Sequence, residues 1–366
     1  MTASSLINVS VFKRRLIFCE ADSLNFWFLP VDSVAGTATE FILGGIFDQG
    51  GYLVASGTMS FDGGAGPDDH CIFITSKGQV AVYSGTDPAD PNAWQLVGVY
   101  SLPNPVGRRC LTKVAGDLAV ITIGGLLPLS KSLIRDKEVK DVALSNRIYD
   151  QINNAVANYG SNFGWSFTVY PKGHIGILNI PVNEGIQQMQ FCINLLSGGW
   201  CRFLGQNANC FTVFQDNLYF GGNDGNIYWA DSYPTDNGEP IVADLKTAFS
   251  YFGTRGQVKR FPMMQPVIYS DGRVTPAILL NTDFNDVVPT GTTASGSLSS
   301  TNWDEAEWDV DFWPQDAAML SVWQSTNAIG QCAAVRMRVI ATSTTTVPIT
   351  LQVQAFNFTF ESGSAF

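Results

Sequence analysis

Residues 217–231, NLYFGGNDGNIYWAD, place Leu218 and Phe220 at alternate positions, break at a Gly/Asn/Asp cluster, and resume the alternation at Ile227 and Trp229. Alternation with period two marks a strand with one buried face. Asn and Gly at the break tolerate the positive φ that a tight connection demands. The stretch therefore predicts a β-hairpin that turns across residues 222–225, with Leu218 opposite Trp229 and Phe220 opposite Ile227 on one face.

The same pattern recurs along the chain. RLIFCEADSLNFWFLP turns at Asp22, CIFITSKGQVAVYSGTDP at Lys77 and Gly78, DLAVITIGGLLPLSK at Gly124 and Gly125, and FTVYPKGHIGILNIP at Lys172 and Gly173. From Asp22 through Gly78, Gly125 and Gly173 to Gly225 the turns fall 56, 47, 48 and 52 residues apart. Hairpins repeating roughly every 50 residues are the signature of a β-propeller with four strands to a blade. WQLVGVYSL (residues 94–102) and MQFCINLLSGGWCRF (residues 189–203) supply the outer strands between hairpins.

One segment has a different period. VALSNRIYDQINNAVANYG sets Leu144, Ile148, Ile152, Ala155, Val156 and Tyr159 on one side at helical spacing, and Gly160 ends the run. A single amphipathic helix over about residues 143–159, inserted between blades, is the expectation. After about residue 240 the hairpin period fails. PVIYSDGRVTPAILL reads as a hairpin around Asp271 and Gly272, while AAVRMRVIATS and ITLQVQAFNFTF read as long strands. The second of these changes phase at Ala355 and Phe356, as a bulge would make it. The expected fold class is thus all-β: a β-propeller over residues 1–240, and a sandwich-like C-terminal all-β domain over residues 241–366.

Composition narrows the function classes. The chain has 366 residues, 45% of them hydrophobic and 14% charged, with 35 glycines and 24 phenylalanines, which suits many short strands around a substantial core. A formal charge of −11 argues against a protein that grips nucleic-acid phosphates over a broad surface. No run of about 18 apolar residues suggests a membrane span, and the opening residues lack the order of a secretory signal. Seven cysteines, with no Cys-x-x-Cys pair, argue for free thiols and assembly in a reducing cytoplasm. Cys192 and Cys201 are placed to face each other across a hairpin.

Candidate chemistry is sparse. DGGAGPDDH offers Asp62, Asp68 and Asp69 to a calcium ion but lacks the alternating carboxylates and closing Glu of a specific loop, so it reads as a solvated connection. Asp224 and Asp231 fall to a related argument, because the turn that holds them recurs without carboxylates. TNWDEAEWDVDFWP combines Asp304, Glu305, Glu307, Asp309 and Asp311 with Trp303, Trp308 and Trp313, a set that fits sugar stacking and acid/base hydrolysis. Trp308, Val310 and Phe312 nevertheless alternate as a strand, and the carboxylates between them suit a charge-guarded edge. His70 and His174 fall in different repeats. The basic clusters Lys13/Arg14/Arg15, Arg108/Arg109 and Arg255/Lys259/Arg260 suit interface salt bridges. No catalytic, cofactor-binding or metal-binding residues are assigned, and no cofactor is expected.

Several phrases together resemble a known family. VFKRRLIFCE, WFLPVDSVAGTATEFILGGIF, VAVYSGTDPADPNAWQLVGVYSL, GRRCLTKVAGDLAVITIGGLLPLS, GGWCRFLGQNANCF, LYFGGNDGNIYWAD and FSYFGTRGQVKRF are similar to the tail nozzle or tail hub proteins of short-tailed phages, including those called packaged-DNA stabilisation proteins. The resemblance covers most of residues 11–284. It implies a non-enzymatic β-propeller subunit of the virion tail that extends the tail tube and retains or gates the packaged genome. The implied partners are other copies of the chain in a homo-oligomeric ring, a hexamer, with the portal-side adaptor and other tail proteins. DNA would pass without sequence-specific binding during ejection, past an acidic wall that repels its phosphates. The alternative is a tail propeller that binds or cleaves glycans.

Overall fold

A computed structural model of the chain describes residues 2–62, 67–114, 116–133, 139–232, 235–270, 276–290, 293–294, 318–341 and 351–365. The chain divides into two compact units, Met1–Ala230 and Asp231–Phe366. Almost all regular structure in both is antiparallel strand.

In the first unit the period-two segments pair with their neighbours in chain order. The first sheet contains β1 (Leu6–Phe12), β2 (Arg15–Glu20), β3 (Asn25–Phe28) and β4 (Thr39–Ile42). The second contains β5 (Leu53–Asp62), β6 (Pro67–Thr75), β7 (Gln79–Gly85) and β8 (Trp94–Ser101). The third has three strands, β9 (Leu111–Val114), β10 (Asp117–Thr122) and β11 (Gly125–Pro128). The fourth contains β12 (Ser166–Tyr170), β13 (Ile175–Asn183), β14 (Gln187–Asn194) and β15 (Trp200–Phe203). The fifth contains β16 (Ala208–Phe214), β17 (Asn217–Gly222) and β18 (Ile227–Trp229).

Turn chemistry fixes these ladders. Gly78, between β6 and β7, has φ +79°, and a Cβ there would lie 2.1 Å from the Leu102 carbonyl oxygen, so no side chain fits. The β17–β18 turn differs from the expected register by one residue: Tyr219 faces Trp229 and Phe220 faces Tyr228. Gly222 donates to the Asn226 carbonyl and Gly225 donates back to Gly222, closing a shorter loop with Gly225 at φ +84°. One position of slip reverses the facing of a strand. Leu218 is accordingly buried at 2% exposure, whereas Ile227 and Trp229 stand 80% and 53% exposed.

Consecutive sheets meet through apolar faces. Phe26 and Phe28 of the first sheet pack with Phe73 and Tyr83 of the second. Ile72 and Val82 pack with Leu118 and Val120 of the third. Ala119 and Ile121 pack with Phe167 and Leu178 of the fourth, and Ile177 and Cys192 pack with Leu218 of the fifth. The first strands also neighbour one another in sequence, β1 beside β5, β5 beside β9, β9 beside β12 and β12 beside β16.

Where a fourth strand would follow β11, the chain turns helical, through α1 (Leu129–Ser132), α2 (Val139–Val142) and α3 (Tyr149–Tyr159). The expected helix thus starts later than residue 143. Leu144 N–H bonds the Leu126 carbonyl and Leu126 N–H bonds Ser145 Oγ, so this stretch is tied to β11 instead of to a helical turn. The apolar stripe is nonetheless the one expected: Ile152 and Ala155 are buried, with Leu144, Ile148, Val156 and Tyr159 packed around the same core.

The second unit pairs strands distant in sequence. β19 (Ile241–Lys246), β20 (Gln257–Ser270), β21 (Ala277–Thr282), β22 (Thr293–Ala294), β23 (Ala318–Leu320), β24 (Gln324–Gly330), β25 (Ala333–Ala341) and β26 (Leu351–Ala365) form two sheets. β25 lies between β19 and β21, with β22 parallel beside it. β20 carries β26 along one edge and β24 followed by β23 along the other. The expected β20–β21 hairpin is therefore absent among the described residues. Both edges of β20 are occupied, and β21 pairs with β25 instead. The bulge in β26 falls at Gln354, one residue before the expected place, since Ala355 faces Val267 and Val353 faces Ile268. Phe261 and Met264 of one sheet share a core with Leu280 and Val335 of the other.

Candidate functional site

Two arginines in the connection to β9 stand on a fixed backbone. Val106 and Cys110, on either side of Gly107, Arg108 and Arg109, are 3% and 0% exposed. The Val106 N–H bonds the Ile121 carbonyl at 2.9 Å, and the Ile121 N–H bonds the Cys110 carbonyl at 2.8 Å. Gly107 takes φ +73° against the side chain of buried Trp165, where a Cβ would approach to 3.3 Å. The two guanidinium groups therefore project from a short segment pinned to the core at both ends.

They line a cleft of about 520 Å³ bounded by the first strands β1 and β5 and the start of β9. Arg109 lies over the Phe163 ring, 5.0 Å from its centroid, which holds the planar guanidinium while leaving its edge free to donate. Asn8 and Ser56 also line the cleft. Ser56 donates to Asn8 Oδ1 from its backbone N–H at 3.1 Å and from its hydroxyl at 3.2 Å. The Ser10 and Ser56 hydroxyls sit 2.7 Å apart. None of the residues lining the cleft is acidic. Neither arginine forms an ion pair among the described residues, unlike Lys13, Arg14 and Arg15, which pair with Asp69, Asp32 and Asp87. Unpaired guanidinium donors in a cleft without acids suit an oxyanion.

The remaining described candidates fall on separate hairpins, apart from Asp62, Asp68, Asp69 and His70, which share one. Asp62 and Asp68 sit near the tip of the β5–β6 hairpin, whose residues 63–66 lie outside the described residues. Asp69 accepts from Ser60 Oγ at 2.7 Å and Lys13 Nζ at 3.0 Å, and these donors hold its carboxyl below the usual range. Asp224 serves its own turn, accepting from Tyr228 and Asn226, which lowers its pKa and raises that of Tyr228. His70 lies on β6 and His174 in the β12–β13 turn, in different sheets. Trp303, Asp304, Glu305, Glu307, Trp308, Asp309, Asp311 and Trp313 fall outside the described residues. Among the described residues no three His, Cys, Asp or Glu side chains are grouped to hold a metal ion.

Four of the basic residues expected at interface salt bridges are used within the chain instead. Lys13, Arg14 and Arg15 are committed within the chain. Lys259 is fully buried, its ammonium donating to the Thr254, Gln257 and Gln331 carbonyls, because three backbone acceptors converge there. The cleft itself was missed by sequence reasoning. Its only advance signal is a Gly-Arg-Arg run between two apolar residues, which does not foretell Phe163, Asn8 or Ser56.

A second reactive pair lies on the fourth sheet. Cys192 on β14 and Cys201 on β15 are register partners, and both are free thiols. When protonated, Cys201 donates to the Cys192 carbonyl at 3.6 Å. When ionised, it accepts from the Cys192 thiol, which lowers Cys201 to about 7 and raises Cys192.

No protein-family model matches the chain, and no curated protein is similar to it. Among solved structures, a candidate 6-phosphogluconolactonase from Bacteroides uniformis aligns at 12% identity over 61% of this chain and 66% of its own length, with a TM-score of 0.40. The complex of SREBP and SCAP binding domains from fission yeast aligns at 11% identity over 65% of this chain and 64% of its own, at 0.31. The WD40 domain of SCAP from fission yeast aligns at 10% over 67% and 69%, also at 0.31. Likeness at this level carries no argument about what the chain does. In the structure itself, no helix among the described residues is long and apolar enough to cross a membrane. The chain is an all-β protein of small antiparallel sheets laid out in chain order through its first unit.

Proposed function

We propose that this chain is a structural subunit of a phage tail, a nozzle or hub protein of the virion. In this reading the five sheets of the first unit are propeller blades and the second unit is a sandwich-like appendage. The observation that carries the propeller is the arrangement of successive meanders, each packed on the next, with neighbouring first strands. Blades around an axis have this order. The phrases that resemble tail proteins, FSYFGTRGQVKRF in the second unit excepted, fall on the strands and turns of those meanders, which supports the tail assignment.

Exposed apolar side chains support assembly. Val34, Ile42, Leu196 and Ile227 are 88%, 69%, 77% and 80% exposed, and in this reading contacts with neighbouring copies cover them. Copies of the chain would bury it in a ring of six around the tail axis, beside the adaptor and other tail proteins, while the genome is held above. The test is to measure the mass of the purified chain by analytical ultracentrifugation and to label virions with an antibody against it. A ring-sized species together with label at the tail supports the reading. A chain that stays monomeric at high concentration and is missing from purified particles sinks it.

A further inference from the structure

We propose that the Arg108/Arg109 cleft is a binding site for a phosphate group, taken either from a nucleic-acid backbone or from a free phosphate anion. The chain carries 32 acidic residues against 21 Lys and Arg, so an arginine without a carboxylate partner has many potential partners to do without. Lys246 and Arg336, like the Lys13 cluster, have taken theirs. Arg108 and Arg109 have not, and the wall they share with Asn8 and Ser56 holds no acid. The free donors here are the two guanidinium forks, since the Ser56 hydroxyl already serves Asn8 Oδ1 and meets Ser10, and the cleft has room for a phosphate with its water.

The site is also preorganised. Buried Val106 and Cys110 fix the backbone, and Phe163 holds the Arg109 plane, so little side-chain freedom is lost when an anion enters. A phosphate presents several acceptor oxygens to paired forks, the geometry in which arginine exceeds lysine. Most of the chain repels polyanions, so binding here is local and needs no basic groove. The inference goes beyond the tail reading and holds whether or not the chain sits in a virion.

The test uses the full chain at low salt with two probes: a fluorescein-labelled oligothymidylate followed by anisotropy, and inorganic phosphate or pyrophosphate followed by calorimetry. At least one probe should saturate, and an Arg108→Ala/Arg109→Ala variant should weaken it about a hundredfold. Arg202→Ala, an exposed residue outside the cleft, should change it by less than about twofold. Saturation by the oligonucleotide, with phosphate competing, identifies a nucleic-acid backbone as the source. Saturation by phosphate or pyrophosphate alone identifies the free anion. No saturation by any probe overturns the site, and so does an equal loss in Arg202→Ala. If the double variant does not melt as the parent does, Arg109→Gln decides: a loss of about tenfold supports the site, and unchanged affinity overturns it.

Discussion

The two units use the same strand chemistry but close their ladders over different lengths of chain. In residues 1–230 each strand pairs with the next in its sheet, so β6 lies between β5 and β7, and β13 between β12 and β14. In residues 231–366 the partners are remote: Ile241 faces Ala341, and Gln257 faces Ala365. Adjacent pairing needs only short loops to close, whereas remote pairing requires a long segment to be ordered before its contacts form. The first unit is therefore a series of local decisions joined by apolar faces. The second depends on a few ties that hold distant segments together.

The largest effect should come from breaking a joint between successive sheets. Phe73 is 0% exposed, stacked on Phe26 at a ring separation of 4.4 Å and edge-on to Tyr83 at 6.1 Å. Phe73→Ala removes the ring that connects the first sheet to the second and leaves a cavity, at a cost of about 3–5 kcal/mol. Urea unfolding with hydrogen exchange should show protection lost first in β2, β3, β6 and β7. If those amides keep their protection, the packing between the first two sheets is not what stabilises them.

A smaller loss, about 3 kcal/mol, is expected from Lys259→Met in the second unit. The ammonium there joins Thr254 and Gln257 to Gln331, 72 residues along the chain from Lys259. Methionine keeps the bulk but leaves three carbonyls without their donor. The urea midpoint should fall, and exchange should quicken at the ends of β20 and β25 that meet near Gln331. A variant as stable as the parent would mean that water replaces the ammonium, and that the remote pairing needs no such tie.

This difference also explains what the sequence made legible. The hairpins of the first unit were visible because each turn, such as Lys77 and Gly78, lies between the two strands it joins. The facing of Cys192 and Cys201 was visible for the same reason. The register at Gly225 was misjudged by one residue, because the sequence does not say which of two glycines closes the loop. In the second unit β20, β21, β25 and β26 were recognisable as strands and β19 and β24 were not, and the pairing of β21 with β25 instead of β20 was hidden because nothing local specifies a partner that distant. The cleft was the least visible feature. Arg108 could be seen in the sequence, but Asn8, Ser56 and Phe163 come to it through three separate connections.

Acid should act more gently, and chiefly on the second unit. Arg336 donates to both carboxylate oxygens of Asp244, at 2.9 and 2.7 Å, and Lys246 with Arg336 does the same for Asp286. Both carboxyls are held below their usual range, chiefly by these donors. Because their folded values are depressed, their contribution is complete above about pH 4 and is lost as pH falls through the folded values. The groups are solvated, so the loss should be the smallest of the stability effects. Urea midpoints from about pH 5 to about pH 3 should fall more steeply in the parent than in Arg336→Gln. Parallel slopes would show that the network between β19 and β25 is too well solvated to link those strands.

The smallest effect leaves stability unchanged and reads the pairing of neighbouring strands directly. The Cys192 thiol facing Cys201 lowers Cys201 to about 7, so near neutral pH a large share of this exposed sulfur is thiolate, the form that reacts. The iodoacetamide labelling rate of Cys201, followed by mass spectrometry, should rise with a midpoint near that value. Cys192→Ala removes the thiol donor and should return Cys201 toward the ordinary thiol range, slowing labelling at neutral pH by about tenfold. The change keeps a small side chain at a buried position, so the hairpin survives and only the sulfur's environment alters. An unchanged profile in Cys192→Ala would mean that the two residues do not face each other. The register of β14 and β15 would then be wrong in the unit where local pairing ought to be most secure.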